Sequence, residues 1–427
     1  MSGVTKTIGA VFATSQGVER AQLAFDATTG LITDFGALGV PTADLDWHYG
    51  DECLAFAGLG DIHIHAREDV SGAHVYKEDF QTAGAAALNG GVTFVADMPN
   101  NPVPPVDEGS YLAKLALTAR APVVILPYAG IGPATRPLPF PVPYKAYMGP
   151  SVGELYFRDD RELAEAIRHY AGEWVSFHCE DPVELGRHTQ ESEHHLKRPV
   201  SCEVLATRTA LALIEEHGLQ GKLCHYSAGE GLPLIRAARA RGVRVACEVT
   251  PQHLYFDQSQ LGERRGYFQM NPPIRESDDR EAMLAAARAG EIDFLATDHA
   301  PHTAEEKARG TSGLTGLDSY GGFVTWLLRT QGFTPERVAL MAAENPGRFV
   351  NHFLPGLAAR HAPYAGLGLG FGFLTPGHVA NVTVLNLHAP HRLTESELKT
   401  KVGHNPFVGV EFPGRVSQVF VQGRARK

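Results

Sequence analysis

The sequence predicts an α/β fold, a (β/α)8 barrel of the TIM type flanked by a small β-sandwich domain built from both termini, and three observations predict it. Strand-like and helix-like stretches alternate through the middle of the chain, short strand-like runs occupy both ends, and histidines and carboxylates collect where the central strands stop. Such alternation implies parallel strands joined by right-handed helical crossovers, and eight units suggest closure into a barrel of about 250 residues.

In order, residues 1–53 read as short strands with turns at 7–12, 21–26 and 30–35, the N-terminal part of the flanking β domain. Residues 54–361 carry the barrel. Strands are expected near 58–65, 92–98, 122–129, 144–148, 174–179, 222–226, 243–249 and 292–298. Helical periodicity falls between them at 79–88, 111–120, 162–170, 202–216, 232–241 and 280–289. Proline-rich 133–143 reads as a stiff, extended connection. Residues 362–427 complete the flanking domain, with a glycine-rich flexible linker expected at 362–377 and strands at 378–385 and 416–423.

Composition narrows the function. With 44% hydrophobic and 20% charged residues, the chain has the make-up of an ordinary globular protein. A net charge of −10 and a pI near 6.0 argue against a nucleic-acid or anionic-membrane surface, so an anionic substrate must be held by a few local cations. The five cysteines form no CxxC pair and read as reduced, buried thiols. No signal-peptide pattern and no membrane-length apolar window are visible, and a cytoplasmic location is expected.

A barrel of this kind builds its active site at the C-terminal ends of the strands. The first strand ends in Asp61-Ile62-His63-Ile64-His65-Ala66-Arg67, where the period-two alternation of a strand places His63 and His65 on one face. Neutral imidazoles are common zinc ligands, and such a face can hold a metal. Other strands carry Lys145, His178, His225 and Asp298 to the same rim. A single strand-end histidine is more often structural, but six such groups on one rim point to a metal-dependent site. Arg67 brings a guanidinium beside them, whose fork suits a carboxylate. His188, His194 and His195 lie in a polar stretch and are expected at the surface. Residues 302–317 read equally as a lid or as a solvated loop.

Several ordered motifs carry a resemblance. They are the heptapeptide above, Lys77-Glu78-Asp79-Phe80, Gly90-Gly91-Val92-Thr93, Asp97-Met98-Pro99-Asn100, Lys145-Ala146-Tyr147-Met148, Cys247-Glu248-Val249-Thr250-Pro251-Gln252-His253-Leu254, Asn271-Pro272-Pro273-Ile274-Arg275 and Ala296-Thr297-Asp298-His299-Ala300-Pro301-His302. Together with Glu344-Asn345-Pro346-Gly347-Arg348, they resemble the amidohydrolase superfamily and, within it, dihydroorotases of the longer type, similar to the dihydroorotase part of the animal multifunctional pyrimidine protein.

The resemblance implies two zinc ions bridged by hydroxide and by Lys145, its amine carbamylated by carbon dioxide. His63, His65 and Asp298 would hold the more buried ion, and His178 and His225 the other. The bridging hydroxide would attack the ring amide carbonyl, with Asp298 as general base and then acid. The implied reaction is the reversible cyclisation of N-carbamoyl-L-aspartate to L-dihydroorotate in pyrimidine biosynthesis. Arg67, Asn100 and His302 would hold the ring carboxylate, and Asn271 would contact the ring. For His253, next to a strand end, the resemblance implies packing or support behind the rim. Where the family follows its arginine with Glu-Pro-Gly, this chain reads Glu68-Asp69-Val70-Ser71-Gly72-Ala73-His74-Val75, a longer loop without the proline. An allantoinase or a hydantoinase/dihydropyrimidinase would keep the metal set and change the ring. A non-catalytic reading makes the chain a partner of aspartate carbamoyltransferase. The expected partners are a small-molecule substrate and, among proteins, a second copy of the chain or aspartate carbamoyltransferase.

Overall fold

The structure, a computed structural model, describes residues 4–150 and 155–427. Its centre is a barrel of parallel strands in chain order. Leu59–Ile64, Val92–Asp97 and Val124–Pro127 pair side by side. Ala129–Ile131, Tyr144–Tyr147, Trp174–His178, Gln220–Leu223, Val245–Val249 and Phe294–Leu295 continue the ring. The third barrel strand is thus split at Tyr128, pairing backward through its first half and forward through its second. Tyr128 N–H donates to the Asp97 carbonyl at 2.9 Å across the break. The ring closes where Ile64 bridges His299 in parallel and His65 N–H donates to the His299 carbonyl at 2.7 Å. All eight expected strands are present with end shifts of a few residues.

Both faces of a barrel strand are covered, so these strands are buried along their whole length, as in Leu59–Ile64 and Val92–Asp97. The expected helices lie between them, for example Phe80–Asn89, Val200–His217 and Ser277–Ala289. Phe80–Asn89 starts at Asp79, whose carboxylate accepts from Thr82 N–H at 2.8 Å in a capping box. Asn345–Ala358 closes one end of the barrel, where Phe349 packs against Tyr128, Trp174 and Phe294.

Both termini build one further sheet. Its order runs Arg424–Ala425, Arg415–Val421, Val382–Asn386, Cys53–Phe56, Thr5–Thr14, Gly17–Asp26, Ile32–Gly36, with Trp47–His48 beside Thr5–Thr14. The strand Val382–Asn386 runs antiparallel to Cys53–Phe56 and so stitches the two ends of the chain together. Cys53–Phe56, at the start of the stretch read as barrel, belongs to this sheet. Ile8, Phe12, Leu23, Phe25, Val382 and Phe420 form its own core.

The glycine-rich stretch 362–377, expected as a flexible linker, is instead a packed strap. Tyr364, Leu367, Phe371 and Leu374 are buried, and the Asn351 side chain brackets Phe371, accepting from its N–H at 2.8 Å and donating to its carbonyl at 3.0 Å. Glycine is needed here for close backbone approach: a Cβ on Gly372, at φ 84°, would meet the Ala343 carbonyl oxygen at 2.5 Å. The spacing of the apolar residues, not the glycine count, decides the outcome. Among the described residues, no helix is long and apolar enough to cross a membrane.

Candidate active site

The strand ends bring the expected ligands into one cavity. His63, His65, Lys145, His178, His225 and Asp298 line it together with Arg67, Asn100, Tyr147 and Asn271. One oxygen of Asp298 stands between two imidazoles, 3.2 Å from His63 Nε2 and 3.0 Å from His65 Nε2. Across the cavity, His178 Nδ1 and His225 Nε2 face each other at 2.9 Å. The Lys145 Nζ is fully buried and, among the described residues, has no hydrogen-bond partner. Tyr147, two residues on and therefore on the same strand face, points an equally unpartnered hydroxyl into buried space.

The backbone is bent to aim these groups. Arg67 (φ 61°), His225 (φ 37°) and Asp298 (φ 49°) are three of the four non-glycine residues with positive φ among the described residues. L-residues rarely adopt this conformation, and its concentration where strands become loops marks a geometry held by the surrounding fold.

A layer of buried carboxylates and amides behind the cavity fixes the imidazoles. Glu248 accepts from His63 Nδ1 at 2.6 Å and from His225 N–H at 3.0 Å, while its other oxygen pairs with Lys222. His63 therefore carries its proton on Nδ1 and turns the Nε2 lone pair toward the cavity. Glu180 accepts from His178 Nε2 at 2.8 Å, which leaves Nδ1 for the cavity side. Asn100 Oδ1 accepts from His65 Nδ1 at 2.7 Å. Asp61 accepts from Thr297 Oγ1 at 2.5 Å and from His63 N–H at 3.0 Å, tying the first strand to the eighth.

Electrostatics favour neutral bases. Burial, reinforced by nearby cations, holds His63 and His65 well below the usual imidazole range, and burial with His178 alongside does the same for His225. Burial pushes the Asp298 carboxyl up to about 7. Against burial, which raises it, the Arg198 guanidinium and the His178 hydrogen bond bring the Glu180 carboxyl down to about 2.

These residues fit metal ions. The donor atoms of His63, His65 and Asp298 lie within 4.8 Å of one another, and two further neutral imidazoles and the orphaned Lys145 amine stand beside them. His63, Cys224 and Glu248 form a second close group, but there Glu248 is already engaged by the Lys222 ammonium.

Of the expected substrate contacts, Arg67, Asn100 and Asn271 line the cavity. His302 lies behind Arg67, accepting from its Nη2 at 3.0 Å, and is not itself among the lining residues. The altered loop after Arg67 is anchored: Glu68 accepts from Phe80 N–H at 2.8 Å, and Asp69 accepts from Ser71 N–H and Val103 N–H, both at 2.8 Å. Ser312 and Gly313, from the stretch read as lid or loop, line the cavity, and Lys307 Nζ donates to the Gln269, Thr311 and Gly313 carbonyls. His253 packs behind the rim as expected, with Nε2 3.1 Å from the Pro272 carbonyl. His194 differs from expectation: it is half-buried, with Nε2 2.9 Å from the Met270 carbonyl, because the polar stretch around it folds against the barrel rim.

Sequence reasoning did not single out Glu180, Glu248, Lys222 or Tyr147 as parts of the site. The available signals were a carboxylate and a lysine inside otherwise apolar strands, and a polar residue two positions from a ligand.

Comparison with known proteins gives the family and the fold. The amidohydrolase family profile matches residues 54–353. A dihydroorotase from Shouchella clausii strain KSM-K16 is 31% identical over 393 residues, covering 87% of this chain and 86% of its own. A dihydroorotase from Halalkalibacterium halodurans is 29% identical over 411 residues, covering 91% of each. Among solved structures, the L-hydantoinase (dihydropyrimidinase) from Arthrobacter aurescens superposes with a TM-score of 0.84 at 21% identity, covering 100% of this chain and 96% of that one. The dihydropyrimidinase from Brevibacillus agri NCHU1002 gives 0.82 at 18% identity, covering 99% and 95%. The family profile and the aligned relatives, with a fold that superposes on the solved hydantoinases, give one assignment: the chain is an enzyme that belongs to the amidohydrolase family.

Proposed function

We propose that the enzyme is a zinc-dependent dihydroorotase, interconverting N-carbamoyl-L-aspartate and L-dihydroorotate. The observation that carries the reading is Arg67, a buried guanidinium in the same cavity as the six candidate ligands, where a ring carboxylate beside the reacting amide would be gripped. The relatives named dihydroorotase, aligned over most of the chain, support it.

In this reading His63, His65 and Asp298 would hold one zinc and His178 and His225 the other. Lys145 would join them once its free amine adds carbon dioxide and releases a proton, which puts a carboxylate in place of the amine. Bound there, zinc supplies an acidified water and polarises the carbonyl that it attacks. The remaining work falls to side chains. Arg67 and Asn100 hold the substrate carboxylate, Asn271 contacts the ring, and His302 backs Arg67. Asp298, its carboxyl raised by burial, takes the proton from the attacking water and returns it to the ring nitrogen as the C–N bond breaks. In the opposite direction the nitrogen of the carbamoyl group closes on the β-carboxyl and water leaves.

The test is a panel of rings offered to the zinc-loaded protein: L-dihydroorotate, allantoin, hydantoin and dihydrouracil. Opening of dihydroorotate well above the others is expected. Turnover of the uncharged rings with none of dihydroorotate would replace this reading by an allantoinase or a hydantoinase-type enzyme.

A further inference from the structure

Behind Arg67 lies a chain of buried polar groups that the reaction does not use directly. Arg67 donates from Nη2 to His302 Nε2 at 3.0 Å and from Nε to the Pro301 carbonyl at 3.2 Å. His302 Nδ1 stands 3.3 Å from Glu306 Oε2, and Glu306 Oε1 accepts from Lys77 Nζ at 2.8 Å and from Tyr76 OH at 2.9 Å. Lys77 and His302 are buried. Tyr76 and Lys77 directly follow the departing segment 68–75, Lys77 opening the motif Lys77-Glu78-Asp79-Phe80, and Glu306 belongs to the short helix Ala304–Ala308 of the opposite loop.

The directions of these bonds decide what His302 can do. A guanidinium is only a donor, so Nε2 of His302 must be the acceptor and its proton sits on Nδ1. That proton faces Glu306 Oε2 at 3.3 Å, while the Lys77 ammonium, 3.4 Å from the same nitrogen, makes its shorter bond of 2.8 Å to Glu306 Oε1. In this tautomer Nε2 has no proton to offer a substrate carboxylate. Burial and the two flanking cations, Arg67 and Lys77, hold the imidazole far below its usual range, so it stays neutral. Also facing it are the Lys307 ammonium and the Glu306 carboxylate.

We propose that Glu306 and Lys77 are positioning residues for substrate recognition: they fix the His302 tautomer so that His302 anchors Arg67, and Arg67 rather than His302 grips the carboxylate. The inference rests on the dihydroorotase reading and deepens it. The stretch that follows the altered loop thereby becomes part of the recognition device, because it delivers Lys77 and Tyr76 to Glu306.

The experiment compares wild type, Glu306→Gln, Lys77→Met and Lys77→Arg, all zinc-loaded, with zinc content measured in each. A glutamine amide can donate to Nδ1 and reverse the tautomer, which sets a proton on Nε2 against Arg67. Expected is a rise in KM for L-dihydroorotate of about tenfold in Glu306→Gln and Lys77→Met, with kcat and zinc content close to wild type and KM restored in Lys77→Arg. An unchanged KM in both variants would overturn the proposal, as would a joint fall of kcat and zinc content. Failure of the wild type to open dihydroorotate would instead reject the functional reading. In that event binding of orotate, a planar ring carboxylate, followed by calorimetry, separates the two: weaker binding by Glu306→Gln supports the relay, and equal binding overturns it.

Discussion

Glu248 accepts from Nδ1 of His63 across 2.6 Å while its other oxygen pairs with the Lys222 ammonium inside the barrel. One carboxylate thereby sets the tautomer of a candidate metal ligand and neutralises a buried cation. Glu248→Gln is expected to weaken zinc binding by roughly 10–100-fold, the usual scale for an outer partner of a ligating histidine. It also leaves Lys222 buried without a counter-charge, at a cost of about 3–5 kcal/mol. The double variant Glu248→Gln/Lys222→Met should recover stability without recovering zinc affinity, as read by thermal melting and metal competition. Recovery of both, or of neither, would separate His63 from this pair.

Lys145 presents a buried amine with no hydrogen-bond partner among the described residues. Lys145→Ala is expected to lose nearly all turnover while the barrel still folds, and short carboxylates added to the assay should restore part of it by entering the space of the lost side chain. Full zinc content and full activity in the variant would contradict the bridging role.

Protons compete with metal for the imidazoles only below the imidazole pKa. Burial lowers that pKa for His63, His65, His178 and His225 from the usual 6.5, so the neutral, metal-ready form persists further into acid. Zinc content is therefore expected to hold at pH 6 and to fall only on further acidification. Loss of zinc centred at the ordinary imidazole value, measured by dialysis across a pH series, would contradict burial as the controlling term.

Gly372 combines φ 84° with two backbone neighbours, Ala343 and Gly347, in the space of a Cβ. Gly372→Ala is expected to cost about 1–3 kcal/mol in stability. A loose linker would tolerate the change without a shift in melting temperature, so this substitution distinguishes a packed strap from a tether.

Much of this architecture was legible in the sequence because barrel strands announce themselves twice, as short apolar runs and by the chemistry at their ends. His63, His65, His178, His225, Lys145 and Asp298 could be assembled on one rim before any coordinates. Three features were not legible, for physical reasons. The split of the third strand at Tyr128 depends on pairing with two different neighbours, which no local pattern encodes. The 362–377 strap reads as flexible because glycine content signals permitted backbone conformations, whereas its order comes from Leu367 and Phe371 finding a distant core. Glu248, inside a strand, and Glu180, two residues past the end of one, were overlooked because a buried carboxylate has no assigned role until its imidazole partner is known, and those partners lie 185 and two residues away.

The central claim is a dinuclear zinc centre that opens the dihydroorotate ring. The most direct measurement is titration of chelator-stripped protein with zinc while ring opening of L-dihydroorotate is followed. The account predicts activity that rises with added metal and levels at two equivalents per chain. Activity already complete without metal, or no turnover of dihydroorotate with two equivalents bound, would contradict it.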